Sequence, residues 1–244
     1  MAKTIAVQCG HGVSLDGSWD SGCVYKTGGR QYTEAGLMLK ITKAAVKYLR
    51  ASGVKVITDA DHGNNKNMIA DVRWANSVGV SLYLSIHCDY SGAPKGVMPL
   101  YVSSAGKKLA TALNAQIKKD MGMKSRGVQR RTDLWELNGT DAPACILETG
   151  SIKADLATLR DHPDKYGKAI AKGVCNYLNV KFLTNSNTKQ EHTGEIYRVR
   201  KSWKKPETQK GAFTELKNAK TCAKKYKMNV YNKAGKEVYT YGKK

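Results

Sequence analysis

Through its first 180 residues the chain alternates two kinds of apolar pattern, and this alternation constrains the fold more than any other feature. Short runs rich in β-branched residues, at 4–9, 54–59, 81–87 and 144–148, have the length and bounding residues of buried strands. Between the first two, residues 33–52 place apolar side chains at 37, 41, 44, 45, 48 and 49, a 3.6-residue period that predicts an amphipathic helix. Residues 68–78, 105–121 and 166–178 read as further helices. A strand, a helix and a second strand make a β-α-β unit, and the whole pattern predicts an α/β sheet covered by helices.

The pattern fails near residue 183. Residues 183–193 hold one apolar residue in eleven and no period, which suits a solvated linker. The expected division is a domain over 1–180, a linker over 181–193 and a basic module over 194–244. In that module a strand at 195–200, a helix at 212–225 and strands at 229–232 and 237–241, with Lys233-Ala234-Gly235-Lys236 as a hairpin turn, predict a small α+β unit of order β-α-β-β. Residues 194–244 carry 15 Lys or Arg against 4 Asp or Glu, a net +11 out of +21 for the chain. Such an excess favours polyanionic partners, among them anionic polymers of a bacterial wall.

A composition of 41% hydrophobic and 25% charged residues is that of a folded, water-soluble protein. No stretch approaches 18 apolar residues, so no transmembrane helix is expected. The opening MAKTIAVQCGHGV lacks the apolar core of a secretion signal, so the expectation is synthesis in the cytoplasm without a signal peptide. The six cysteines form no CxxC pair and several lie in apolar runs, which points to free buried thiols.

Three polar residues stand at or just after the ends of three expected strands: His11, His87 and Glu148. Sites in open α/β sheets form at the carboxyl ends of strands, so these residues converge if the strands are neighbours. Singly, each has an ordinary explanation: His11, between Gly10 and Gly12, as a turn histidine, His87 and Glu148 as partnered strand ends. Glu34, at the start of the first long helix, would also complement the helix dipole. Together, His11, Glu34 and His87 supply the two imidazoles and one carboxylate of a catalytic zinc site, and Glu148 supplies the nearby non-ligand carboxylate that zinc hydrolysis needs. His62 and His192 lie in polar stretches and His162 precedes Pro163, so all three read as solvated.

The run Cys9-Gly10-His11-Gly12, Glu34 opening a helix, Asp71-Val72-Arg73-Trp74-Ala75-Asn76, Ser85-Ile86-His87-Cys88-Asp89 and Leu147-Glu148-Thr149-Gly150 resembles the zinc N-acetylmuramoyl-L-alanine amidases of the amidase 3 family, over about residues 4–178. The resemblance implies a mostly parallel sheet flanked by helices, Zn2+ held by His11, Glu34 and His87, Glu148 as the catalytic glutamate, and peptidoglycan as substrate, cut between N-acetylmuramic acid and L-alanine. Departures from the family pattern, such as Gln8-Cys9 before Gly10 and Cys88-Asp89 after His87, remove no ligand and bear on substrate preference. The tail, through Tyr197–Trp203, Gln209–Phe213 and Asn218–Lys220, resembles short wall-binding modules of clostridial and bacillar lysins. The combination is similar to a phage endolysin, acting on the wall after release at lysis.

Three other readings stand beside this one. A cysteine-histidine wall hydrolase would use Cys9 or Cys88 as nucleophile, but leaves Glu34 and Glu148 unexplained. A zinc peptidase or deacetylase would cut another wall bond. A nucleic-acid binder is suggested by charge alone, and the basic residues accompany no nucleic-acid motif, so nucleic acid is not an expected partner.

Overall fold

A computed structural model describes residues 4–61, 65–184, 196–213 and 216–242. Most of the expected linker, from residue 185 onward, lies outside them, as do His62 and His192. The chain divides into two compact units, residues 1–186 and 187–244.

In the first unit the elements run β1 (Thr4–Gln8), β2 (Val24–Thr27), β3 (Arg30–Thr33), α1 (Glu34–Ala51), β4 (Lys55–Ile57), α2 (Met68–Val78), β5 (Tyr83–Asp89), β6 (Met98–Tyr101), α3 (Ser104–Met121), β7 (Gln129–Arg130), α4 (Trp135–Asn138), β8 (Ala144–Ser151), α5 (Leu156–Asp161) and α6 (Pro163–Leu178). Six strands form one sheet in the order β4-β1-β5-β8-β6-β7. β4, β1, β5 and β8 are mutually parallel, and β6 is antiparallel to β8. The sheet is therefore mostly parallel and flanked by helices, as the pattern and the resemblance predict. β2 and β3 form a separate hairpin ahead of α1. Among the described residues no helix is long and apolar enough to cross a membrane.

Alternation along each strand sorts the core into two layers. Ile5, Val7, Leu84, Ile86 and Leu147 pack with α1, α3 and α6, whereas Ala6, Tyr83 and Ile146 pack with Val72 and Ala75 of α2 and Leu137 of α4. α1 starts where the Thr33 side chain accepts a hydrogen bond from the Gly36 amide, satisfying a backbone donor the helix itself cannot. Its buried stripe through Leu37, Ile41, Ala45 and Leu49 then fixes it on the sheet.

In the second unit, β9 (Tyr197–Arg200), β10 (Gly211–Phe213), α7 (Leu216–Tyr226), β11 (Asn229–Tyr231) and β12 (Glu237–Tyr239) make an antiparallel sheet of order β10-β9-β11-β12. Val199, Ala219, Ala223, Met228 and Val230 form its core. The unit is α+β, with one strand more than the expected β-α-β-β order. Residues 211–213, whose end overlaps the expected helix, pair antiparallel with β9.

α1 and α6 pack so closely that a Cβ on Gly167 would lie 2.5 Å from both the Ala44 Cβ and the Ala45 backbone nitrogen. Overpacking of this kind costs about 1–3 kcal/mol, against a helix-propensity gain of up to about 1 kcal/mol for replacing glycine. Gly167→Ala should therefore lower the urea-unfolding stability by about 1–2 kcal/mol, and a stabilised variant would show the two helices to be loosely packed.

Candidate metal centre

β1, β5 and β8 are neighbours in the sheet, so their carboxyl ends bring the segments bearing His11, His87 and Glu148 together. His87 and Glu148 are directly paired across β5 and β8. The chain leaves β1 through Gly10, whose φ of +69° favours glycine, and a Cβ there would fall 2.1 Å from His87 Nε2. That close approach seats the two imidazoles edge to face, with ring centroids 4.9 Å apart.

Glu34 enters from α1 and stands between them. Its Oε1 lies 3.0 Å from His87 Nδ1 and accepts from the Cys88 amide at 2.9 Å. Its Oε2 lies 3.3 Å from His11 Nε2 and accepts from the Cys23 amide at 3.0 Å. Gly22, at φ +62°, passes over this oxygen, where a Cβ would come within 2.6 Å. Burial alone would raise the Glu34 pKa, but hydrogen bonds and charge from His11 and His87 hold the carboxyl well below the usual carboxylate range.

One ligand atom from each of His11, Glu34 and His87 lies within 4.8 Å of the others. Two imidazole nitrogens and a carboxylate oxygen, clustered and mostly buried, match the donor set of a catalytic zinc ion with an open fourth position. Glu148 stands beside this set. Its Oε2 is shielded from solvent and has no hydrogen-bond partner. Burial pushes its carboxyl up to about 7, aided by the charges of Glu34 and Asp89 and opposed by His87 and Arg126.

Neither candidate thiol is set up as a nucleophile. Cys9 is fully buried, and burial and the Asp59 charge push its pKa up. The Cys88 sulfur lies 3.9 Å from the Cys23 sulfur, and that contact, burial and the Glu34 charge raise its pKa. His162 is exposed at the junction of α5 and α6, away from the cluster in sequence and fold.

Residues that the sequence does not single out complete the surroundings. Asp20 Oδ2 lies 2.8 Å from His11 Nδ1. Ser85 Oγ lies 2.9 Å, and Glu136 Oε2 3.3 Å, from His87 Nε2. Asp20 belongs to the Gly- and Ser-rich run Asp16–Gly22, where an acid looks like any turn former. Ser85 opens the run Ser85–Asp89 that carries the resemblance, but nothing in the sequence gives it a role of its own. Glu136 has a faint signal, a lone acid between Leu134-Trp135 and Leu137, and it is only 2% exposed.

Residues 5–176 match the family model of N-acetylmuramoyl-L-alanine amidases. An uncharacterized protein of Clostridium perfringens is 31% identical over 176 residues, which cover 62% of this chain and 52% of that protein, so the chain spans about half the length of the curated relative. Among solved structures, the catalytic domain of CwlV, an N-acetylmuramoyl-L-alanine amidase from Bacillus (Paenibacillus) polymyxa var. colistinus, superposes with a TM-score of 0.64 at 24% identity, over 73% of this chain and 99% of that one. The catalytic domain of the CD27L endolysin targeting Clostridia difficile gives 0.59 at 22% identity, over 71% and 97%. At those identities the two superpositions speak for the fold, whereas the family model spans well over half of the residues: the chain belongs to the N-acetylmuramoyl-L-alanine amidase family.

Proposed function

We propose that the chain is a zinc-dependent peptidoglycan hydrolase that cuts the amide bond between N-acetylmuramic acid and the L-alanine of the stem peptide. The observation that carries this reading is the closeness of one ligand atom from each of His11, Glu34 and His87, with His11 Nε2 and His87 Nδ1 facing the two Glu34 oxygens and Glu148 paired with His87 on the next strand. His11, Glu34 and His87 would hold a zinc ion, which would supply Lewis acidity toward the scissile carbonyl and lower the pKa of an adjacent water. Glu148, raised toward neutrality and with one shielded oxygen that has no hydrogen-bond partner, takes the proton from the attacking water and returns it to the departing amine of L-alanine. His11, Glu34 and His87 stay in place as ligands, and Glu34 is fixed for that task by the two backbone amides.

The second unit we read as a wall-anchoring module for an anionic polymer. Its support is the net charge of residues 194–244 and a Trp203 ring flanked by Arg200 at 4.9 Å and Arg198 at 5.9 Å. The resemblance of the tail to short wall-binding modules of lysins supports an endolysin role, with the protein acting on the wall after release at lysis.

Chelation should abolish wall lysis and added zinc should restore it; inactivation by a thiol-alkylating agent but not by a chelator would replace this mechanism with cysteine chemistry. Glu148→Gln should retain zinc and lose about a hundredfold or more in turnover, and arrival of the variant without zinc would make Glu148 a ligand.

Glu148 also gives a stability signature. Its folded pKa of about 7 exceeds the unfolded value, so ionisation opposes folding. The penalty is absent below about pH 4.5, grows as pH rises through 7, and reaches on the order of 3 kcal/mol above it. With metal removed by chelator, Glu148→Gln should be more stable than the natural chain at pH 8 and no more stable at pH 4, as read from thermal melts; a gap that shrinks with rising pH would contradict the assignment.

For the tail, full-length protein should bind walls in a salt-sensitive way, because screening shortens the reach of surface charge to about 8 Å at physiological ionic strength. Truncation after residue 182 should reduce lysis of whole cells while leaving cleavage of a soluble muropeptide intact. Equal wall binding by both forms would remove the anchoring role.

A further inference from the structure

We propose that Asp20 and Glu136 are positioning residues of the metal centre, holding the two imidazoles in opposite orientations so that His11 offers Nε2 and His87 offers Nδ1 to the metal. The inference rests on the zinc reading above and adds what fixes the rings. A neutral imidazole carries its proton on one nitrogen and a lone pair on the other, and the partner of the first decides which nitrogen is free to ligate.

For His11 that partner is Asp20, whose Oδ2 lies 2.8 Å from Nδ1. The carboxylate is itself anchored, since its Oδ1 accepts from the Gly22 amide at 2.9 Å. The proton therefore sits on Nδ1, and Nε2, which faces Glu34 at 3.3 Å, keeps its lone pair.

His87 is turned the other way. Its Nδ1 faces Glu34 at 3.0 Å, and its Nε2 faces the Ser85 hydroxyl at 2.9 Å and Glu136 Oε2 at 3.3 Å. Glu136 Oε1 accepts from the Tyr83 hydroxyl at 2.7 Å. Tyr83, Ser85 and His87 alternate along β5, so all three project to one face of the sheet, and Glu136 closes the row from α4. Tyr83 and Ser85 are fully buried and Glu136 is nearly so, beside Leu137 and Tyr83 of the apolar layer. An acid in such surroundings is costly unless hydrogen-bonded donors meet it. Tyr83 meets one oxygen only; the other, Oε2, is buried without a hydrogen-bond partner and lies 3.3 Å from His87 Nε2, so a proton on that nitrogen is what would satisfy it. Carboxylates behind ligating histidines commonly set tautomer and ring orientation, and their loss weakens metal binding about ten- to a hundredfold.

The test measures zinc affinity of the full-length protein by competition with a chromophoric chelator. Asp20→Asn and Glu136→Gln should each bind zinc roughly ten- to a hundredfold more weakly, and Tyr83→Phe, which frees Glu136 without removing it, should lose less. Asp20 has a side chain 34% exposed, so its replacement does not threaten folding and keeps the test decisive if the Glu136 variant is unstable. A second readout is independent of affinity: long-range nitrogen–proton correlation spectra of zinc-loaded, histidine-labelled protein should show the proton of His11 on Nδ1 and that of His87 on Nε2. Wild-type affinity in both variants, or a His87 proton on Nδ1, would overturn the assignment. A natural chain that binds no zinc would instead sink the metal mechanism itself.

Discussion

The Glu34 carboxylate, on the first residue of an 18-residue helix, accepts the Cys23 and Cys88 amides on its two oxygens and stands against both imidazoles. That one side chain ties the loop before β2, the end of β5 and the start of α1 to the segment after β1. It is a structural joint as much as a candidate ligand. The helix N-terminus favours a negative charge there, and the Thr33 cap fixes where the helix begins. Removing the carboxylate would strand two amide donors in a site that is only 4% exposed at Glu34, at about 1–3 kcal/mol for each unsatisfied group. Loss of Glu34 thus carries a folding cost whatever its part in the site, which distinguishes it from Glu148.

The two glutamates are the same chemical group in two surroundings. Glu34 is met by donors on both oxygens and stays charged; Glu148 has a solvent-shielded oxygen without a partner and drifts up to about 7. Where neighbours push two carboxylates apart in this way, the low one suits a permanent charge and the high one suits proton transfer. The difference in surroundings is set by position in the fold, a helix start for one and a strand end for the other.

That difference also explains what the sequence makes legible. His11, His87 and Glu148 stand out because each interrupts or ends an apolar strand, and the parallel order of β1, β5 and β8 turns three distant residues into neighbours. Glu34 gains meaning only beside them, since an acid at a helix start is commonplace. The long helices α1, α2, α3 and α6 are visible from periodicity, whereas β6 is four residues long and contains Pro99, and β7 has two residues, too little pattern to register. Asp20 and Glu136 are invisible for a different reason. They face a ring nitrogen of a residue 9 positions away in one case and 49 in the other, a closeness that exists only once the chain has folded.

β5 shows how strictly the strand repeat partitions chemistry from packing. Tyr83, Ser85 and His87 turn to the face that holds Glu136, while Leu84, Ile86 and Cys88 join the layer under α1, α3 and α6. Side chains alternate with period two, so a slip of one residue would put a thiol where the imidazole stands and a tyrosine into the aliphatic layer. The neighbouring Cys88 is thereby kept out of the site although its amide is part of it. After His87 the register with β8 shifts, so that Asp89 stands opposite Ser151, and its side-chain Oδ2 accepts from Arg126 at 2.9 Å. Irregularities of this kind are common beside functional sites. The last pair before the irregularity is His87 with Glu148, so the strand geometry places the imidazole and the carboxyl side by side just before the register shifts.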